Sequence, residues 1–442
     1  MEILIVRHSD KPSSFLSKPV TRASVLAIAT LLTLPARHAA AEIELGTNQG
    51  WTLSTDGRIN AFLSIARGDA IPDGEQNYTG LDEEATPDNK IESARVRTGF
   101  IESVLGFTLK KTLEPNVTAE ARVGMWMEAS SQRNWGDEPA MDAREAYFKI
   151  DAPWGGFLAG RAMSLFSRGA ILLDYDLEHN YGMGHPCATK VVSGGACGHA
   201  GFGILFPGFH AGLVYNTPEV GGLQLSAGLF DPDALAEGAY RRTPLPRAEA
   251  ELTFKVPDHF RLFAGTLWQR LSRNNQPTAP DAPTTEQTVD AAGISYGLWG
   301  SVGPLAVGGS GYYGKGLGLY TPLEDNPINI TASGALRHQN GYYGAASLTF
   351  GDTKLAGGVG ISRLERASDD PPDSGGSITP KQQFGISAGV YQGLYKTVII
   401  ALEYFRAETT WYDRGMAVGA DTAIIRPVQN VNFVNAGATL VW

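Results

Sequence analysis

Apolar and polar residues alternate with a period of two along much of the chain. Between Trp51 and Ala66, the residues Trp51, Leu53, Ile59, Ala61, Leu63 and Ile65 share one face of an extended strand. Thr52, Ser54, Asp56, Arg58, Asn60 and Ser64 share the other, with Phe62 the exception. From Val117 to Met127, Val117, Ala119, Ala121, Val123, Met125 and Met127 oppose Thr118, Glu120, Arg122, Gly124 and Trp126. In 248–256, Ala248, Ala250, Leu252, Phe254 and Val256 oppose Glu249, Glu251, Thr253 and Lys255. Successive side chains of a β-strand point to opposite faces, and strict alternation over nine or more residues marks a membrane-crossing strand. Sixteen segments read this way: 51–66, 91–112, 116–129, 142–151, 155–163, 202–216, 221–230, 245–256, 260–271, 289–301, 303–315, 340–350, 353–365, 381–392, 396–409 and 429–442. Segments 91–112, 142–151 and 260–271 alternate poorly, which leaves fourteen or eighteen strands open. No helical stretch is read from Trp51 onward.

The connections reinforce the strands. LEPN, APWGG, TPEVGG, PDH, VGP, GDT and GLYK follow the even-numbered strands from the second to the fourteenth. All are tight and rich in the residues that turns require. Long polar excursions follow the odd-numbered strands. Short turns at one end and long loops at the other are the layout of a bacterial outer-membrane barrel. A soluble β-sandwich or propeller shares the period, but these strands exceed the usual five or six residues. A closed sheet of sixteen is also too wide for its own side chains to fill. The fold class is therefore an all-β transmembrane antiparallel barrel.

Residues 1–41 stand outside this pattern. Lys11, Lys18 and Arg22 precede the apolar run SVLAIATLLTLP and then ARHAAAE, which reads as an export signal cleaved after Ala41, with the barrel spanning 42–442. The apolar run is shorter than the ~20 residues of a spanning helix, and no later segment is long and apolar enough to be one. Of the 36 Lys and Arg and 46 Asp and Glu, five and two lie in residues 1–41, which leaves 31 and 44, a balance of −13. Such a chain does not seek nucleic acid. Glycine occurs 53 times, about 12% against a usual ~7%, as suits a turn-rich β protein. Only two cysteines occur, Cys187 and Cys197. In an exported chain they are expected to form a disulfide. Their setting HPC…CGH also offers a zinc-ligand composition, the less favoured reading in an oxidising compartment. Nucleotide loops, G-x-S-x-G and H-E-x-x-H are absent, and neither a cofactor nor a catalytic residue is expected.

The end of the chain, with Val434, Ala436, Ala438, Leu440 and the terminal Trp442 on one face, resembles the last strand of the Gram-negative general porins. REAYFKIDAPWGGFLAGR (144–161) is similar to that family's strand–turn–strand segment ending in Gly-Arg, and LSTDGRINAFLS resembles its first strand. One departure is Lys149-Ile150 in place of the usual Gly-Leu. The resemblance, over about 51–442, implies a trimeric diffusion channel in the outer membrane. It would pass small hydrophilic solutes and ions, lie in outer-membrane lipid, and be inserted by an assembly machinery that reads the aromatic ending, here Trp442.

The same resemblance implies that the long connection 164–201 folds into the barrel and narrows it. There Asp174, Asp176 and Glu178 come at period two, so an extended backbone would present them together. Wall arginines would face them, with Arg58, Arg95, Arg122, Arg144 and Arg161 as candidates. Charged rings of this kind set ion selectivity, and the acidic balance points to weak cation preference. Aromatics near strand ends, among them Trp51, Tyr215, Trp268, Tyr296, Tyr342 and Tyr404, fit interfacial girdles. Two rivals share the same architecture. One is a channel specific for a sugar or anion. The other is a barrel lipase using a serine and a histidine, with His210 alternating onto the polar face of strand six.

Overall fold

The computed structural model describes residues 42–73, 75, 85–128, 141–186, 195–235, 239–241, 243–275, 285–324, 328–331, 333–367, 370, 380–418 and 421–442. Its strands, in chain order, are β1 (Ile43–Asn48), β2 (Trp51–Asp69), β3 (Lys90–Arg97), β4 (Ser103–Glu114), β5 (Val117–Met127), β6 (Met141–Ala152) and β7 (Gly155–Met163). After them come β8 (Phe209–Asn216), β9 (Leu223–Phe230), β10 (Arg247–Val256), β11 (Phe260–Asn275), β12 (Thr285–Val302) and β13 (Leu305–Lys315). The last are β14 (His338–Phe350), β15 (Thr353–Leu364), β16 (Pro380–Leu394), β17 (Val398–Trp411), β18 (Arg414–Val418), β19 (Asp421–Ile425) and β20 (Val428–Val441).

From β4 to β17 each strand pairs antiparallel with the next. Strand β20 then pairs with β17 on one side and with β2 on the other, and β2 pairs onward with β3 and β4, which closes the barrel. Strands β3 and β4 run along the same flank of β2, one above the other, interrupted at Thr98–Glu102. Counted as one, they make a wall of sixteen, and closure removes every sheet edge. That is required in lipid, where no water can satisfy an open backbone.

The apolar face points outward. On β17, Ile400, Leu402 and Tyr404 are exposed while Ile399, Glu403 and Phe405 are buried; on β20, Val434 and Leu440 are exposed while Asn435 and Thr439 are buried. Tyr215, Tyr296 and Tyr342 join the exposed face. The seam is sealed at the end of the chain, where Gly57 and Trp442 exchange two backbone hydrogen bonds, each of 3.1 Å. A Cβ on Gly57 would strike the Trp442 ring.

Four details differ from the sequence reading. Segment 91–112 is the interrupted pair β3 and β4. Strand β8 begins at Phe209 rather than 202, because 202–208 passes through the interior. Two additions, β1 against β2 and the separate hairpin of β18 and β19, lie outside the sixteen. A helix, α1 (Arg168–Leu177), stands where none was expected. It is buried on nearly all sides, at Ala170, Ile171, Leu173, Asp174, Tyr175 and Leu177, so its apolar run carries no one-sided periodicity. Side chains of the wall alone do not fill the barrel. Residues from three connections also lie inside it, with Phe166, Leu205, Leu235, Tyr240, Leu317, Leu323 and Ile330 in one shared apolar cluster.

Candidate functional site

After β7 the chain turns into the barrel, where residues 164–186 and 195–208 are described. Glu249, on the inward face of β10, accepts hydrogen bonds from the Leu165 and Phe166 amides at 2.7 and 2.8 Å. Arg168, the first residue of α1, is ion-paired with Glu251 of the same strand. The helix then descends toward the short-turn end. Asp176, near its foot, is ion-paired with Arg261 at 2.9 Å, and its carbonyl accepts from Lys354 Nζ at 2.9 Å. Both cations stand one or two positions from a short turn.

The helix separates the three acids that an extended backbone would have presented together. Asp176 is exposed. Asp174 and Glu178 are one turn apart and buried against the far wall, at 0% and 1% exposure, so neither faces pore water. The Tyr343 hydroxyl lies 3.0 Å from Asp174 Oδ1 and 2.7 Å from Glu178 Oε2. The second Glu178 oxygen accepts from Ser387 at 2.5 Å, and Asp174 Oδ2 accepts from the His199 amide at 3.1 Å.

Two buried imidazoles complete this cluster. His179 Nε2 lies 3.2 Å from His199 Nδ1, and His179 Nδ1 lies 2.8 Å from Glu403 Oε1 on β17. Glu403 also accepts from the amides of Met183 and Gly184 at 2.6 and 3.1 Å and from Tyr391 at 2.5 Å. Gly182 permits this approach, since a Cβ there would collide with the Glu403 carboxylate. Burial works against charge on the His179 imidazole, but Asp174 and Glu403 outweigh it and push its pKa up to about 10. Burial likewise opposes the Asp174 carboxylate, yet His179 and His199 hold it below the usual aspartate range. Among the described residues, Asp174, Glu178, His179 and His199 form a group whose nitrogen and oxygen atoms lie within 4.8 Å of one another. Sequence reasoning missed His179 and His199 as partners of these acids, because their neighbours Tyr343, Ser387 and Glu403 come from strands far along the chain.

The five wall arginines do not face an acidic loop as one set. Arg58 points inward and holds the turn after α1, donating to the Asn180 carbonyl at 2.6 Å, with Tyr181 5.4 Å away beneath its guanidinium. Arg95 stands on the inward face of β3, opposite Ser64. Arg122 makes a two-pronged contact with Asp56 at 2.6 and 2.9 Å and lies 3.3 Å from Glu145. Arg144 pairs with Glu102 at 2.8 Å and lies over the Trp126 ring. Arg161 is more exposed and reaches Asp142 at 3.5 Å.

Arg144 and Arg161 line a cavity of about 510 Å³ at the long-loop end of β6, β7 and β8. The carboxylates there are Asp142, Asp231, Asp233 and Glu324. None of these was singled out from the sequence, although Asp231 and Asp233 stand at period two just after β9. His210 lines the cavity with them. Its Nδ1 lies 2.7 Å from Ser164 Oγ and its Nε2 3.2 Å from Asp233 Oδ2. Such a row invites comparison with a hydrolase. The Ser164 hydroxyl, however, is fully buried and also accepts from Arg247 at 3.0 Å. His210 faces the interior, not the lipid boundary that a barrel lipase would use.

Cys187 lies outside the described residues, so the expected disulfide is not placed. Cys197 is buried, and a bridge between Pro186 and Ala196 brings the two cysteine-bearing stretches side by side.

A family model described as Gram-negative porin matches residues 23–410. No curated protein sequence matches. Among solved structures, the outer membrane channel DcaP of Acinetobacter baumannii is similar with a TM-score of 0.62 at 12% identity, covering 90% of this chain and 100% of that one. An anion-selective porin from Comamonas acidovorans gives 0.56 at 13% identity, over 89% and 100%. OmpT of Vibrio cholerae, an outer membrane protein folded in vitro, gives 0.52 at 15% identity, over 90% and 99%. At these identities the likeness is one of fold.

Proposed function

This chain belongs to the Gram-negative porin family, and from that premise we infer that small hydrophilic solutes and ions cross the outer membrane through its barrel by passive diffusion. One observation carries the reading. A closed antiparallel wall, apolar outside, holds an inward-folded segment within it and a charged cavity at its long-loop end. Passage then depends on the width left beside that segment and on the charge along the route, and it needs no chemical step. The test is a planar-bilayer recording of purified protein. Stepwise, ohmic conductance that rises with bulk salt is expected, and its absence from correctly folded protein overturns the reading. Saturable block by a single sugar or anion would replace general diffusion with a substrate-specific channel.

Four further points complete the proposal. Residues 1–41 act as a cleaved export signal, supported by the basic and apolar blocks before ARHAAAE. The functional unit is a homotrimer, supported by membership of the family. Trp442 acts as the assembly signal, supported by its aromatic side chain at the sealed seam. Cys187 and Cys197 pair in the oxidising compartment, supported by the adjacency of Pro186 and Ala196.

A further inference from the structure

The cluster at the inner wall combines three features that a simple hydrogen-bonded anchor does not require. The first is spacing. Four ligands placed 2.0–2.1 Å from a central ion at tetrahedral angles stand about 3.3 Å from one another. His179 Nε2 and His199 Nδ1 are 3.2 Å apart. His199 Nδ1 lies 3.5 Å from Glu178 Oε2 and 3.6 Å from Asp174 Oδ1, and His179 Nε2 lies 3.9 Å from the same Asp174 oxygen. Four ligand atoms, one from each side chain, thus lie within 4.8 Å of one another, with these four pairs between 3.2 and 3.9 Å.

The second feature is the outer shell. Metal-bound imidazoles almost always donate their other ring nitrogen to a carboxylate or carbonyl, which fixes the ring and its tautomer. Of the two imidazoles His179 meets this, its Nδ1 held by Glu403, which is itself fixed by two backbone amides and Tyr391; His199 Nε2 is buried without such an acceptor. The carboxylate ligands are fixed in the same way, Glu178 by Ser387 and Asp174 by the His199 amide. Gly358, like Gly182, leaves the room this needs, because a Cβ there would overlap Glu178.

The third feature is charge. Asp174, Glu178 and Glu403 are three buried carboxylates, and Lys354, 5.5 Å from the Tyr391 ring centre, is the ammonium group beside them. Two carboxylate oxygens also converge on the single hydroxyl proton of Tyr343. Burying anions without compensation is costly. One divalent cation bound among them displaces the imidazole proton and offsets two of the three negative charges.

We propose that Asp174, Glu178, His179 and His199 form a structural zinc site that fastens the inward-folded segment to the barrel wall. Imidazole and carboxylate ligands in a closed four-coordinate set suit Zn²⁺ among divalent ions. The ligands come from one stretch of chain, 174–199, and their supports come from β14, β16 and β17. Metal loading therefore accompanies folding, because no such set exists before the segment docks. The site does not depend on what the channel carries: wild-type protein that conducts but holds no stoichiometric zinc overturns this site and leaves the transport reading intact.

The experiment uses the full exported chain. Protein unfolded in guanidinium with EDTA is refolded into detergent with Zn²⁺ alone or with no metal, and zinc is measured after gel filtration. About one zinc per chain is expected in the wild type, with at least a tenfold reduction in Glu178→Gln and in His199→Asn. No stoichiometric zinc in the wild type, or equal retention in the variants, overturns the site and leaves a cluster held by protons alone. Should the variants fail to fold, Co²⁺ substitution in the wild type decides. Intense visible absorption of four-coordinate Co²⁺ supports the site, and the weak absorption of a six-coordinate ion, or none, refutes it.

Discussion

Glu403 and His179 are 224 positions apart in the chain and 2.8 Å apart in the barrel. One belongs to the wall strand β17 and the other to the segment folded inside, so this contact fixes how far that segment stands from the wall. Glu403 also receives two backbone amides and a tyrosine hydroxyl. Replacing it with alanine leaves those donors buried without an acceptor. Losing one partner of a buried charged pair costs about 3–5 kcal/mol. Glu403→Ala is expected to lower the urea midpoint of the folded barrel and to give noisier, larger unitary conductance. A variant with wild-type midpoint and quiet traces would mean that the inner segment is anchored elsewhere.

The second prediction concerns closure. Gly57 and Trp442 exchange both backbone hydrogen bonds across the seam, and the tryptophan ring covers the space where a Cβ would stand. Deleting Trp442, or substituting Gly57→Leu, is expected to reduce the yield of heat-modifiable barrel in outer-membrane fractions at least several-fold. Equal yields would show that neither the ring nor its fit against Gly57 matters for assembly.

The wall was legible in the sequence and the helix and contacts of the inner segment were not, for one physical reason. Lipid imposes a single apolar face on every strand, so Ile59, Leu63, Leu402 and Val434 declare their side through period two. The interior imposes no such rule. Helix α1 packs on several sides at once and reads only as ILLDYDL. Glu178, Arg58 and Arg122 read as free charges because their partners Ser387, Asn180 and Asp56 are distant or unremarkable in sequence. The expected opposition of acids and arginines was thus assigned to residues that mostly hold structure. The charges at the entrance cavity, Asp142, Asp231, Asp233 and Glu324, went unmarked.

The exported protein is expected to contain no free thiol. Alkylation under denaturing, non-reducing conditions should label neither Cys187 nor Cys197, and prior reduction should expose both. Two labelled cysteines without reduction would remove the bridge. In the paired state the covalent link contributes on the order of 2–3 kcal/mol by restricting the unfolded segment, so reduction should lower the thermal midpoint slightly.

Asp233 gives a pH dependence with a definite sign. Burial opposes its charge, but His210 and Arg247 together hold its carboxyl below the ordinary value of 3.8. A carboxyl depressed on folding stabilises the folded state fully above its unfolded value, and that stabilisation disappears as pH falls through the lower folded value. The wild type should therefore exceed Asp233→Asn in thermal midpoint at neutral pH, with the gap closing only below about pH 4. A gap that closes well above pH 4 would show that this carboxyl is not the group responsible.

Selectivity is the last prediction, and the structure changes which residues test it. Asp174 and Glu178 are buried in a hydrogen-bonded cluster, so neutralising them perturbs folding before it alters the pore. At the entrance cavity, four carboxylates face the guanidinium groups of Arg144 and Arg161. Arg144 is already paired with Glu102, which leaves Arg161 as the more exposed cation. The excess of negative charge predicts weak cation preference, and exposed charges are screened over about 10 Å at 0.1 M salt, so the preference should fade as salt rises. Asp231→Asn removes an exposed carboxylate and should move the reversal potential toward anions. Arg161→Gln removes the opposing charge and should move it toward cations. Both are read in a salt gradient at fixed pH. Opposite shifts place ion traffic along this cavity. Shifts in the same direction, or none, would place the selective part of the route elsewhere in the barrel.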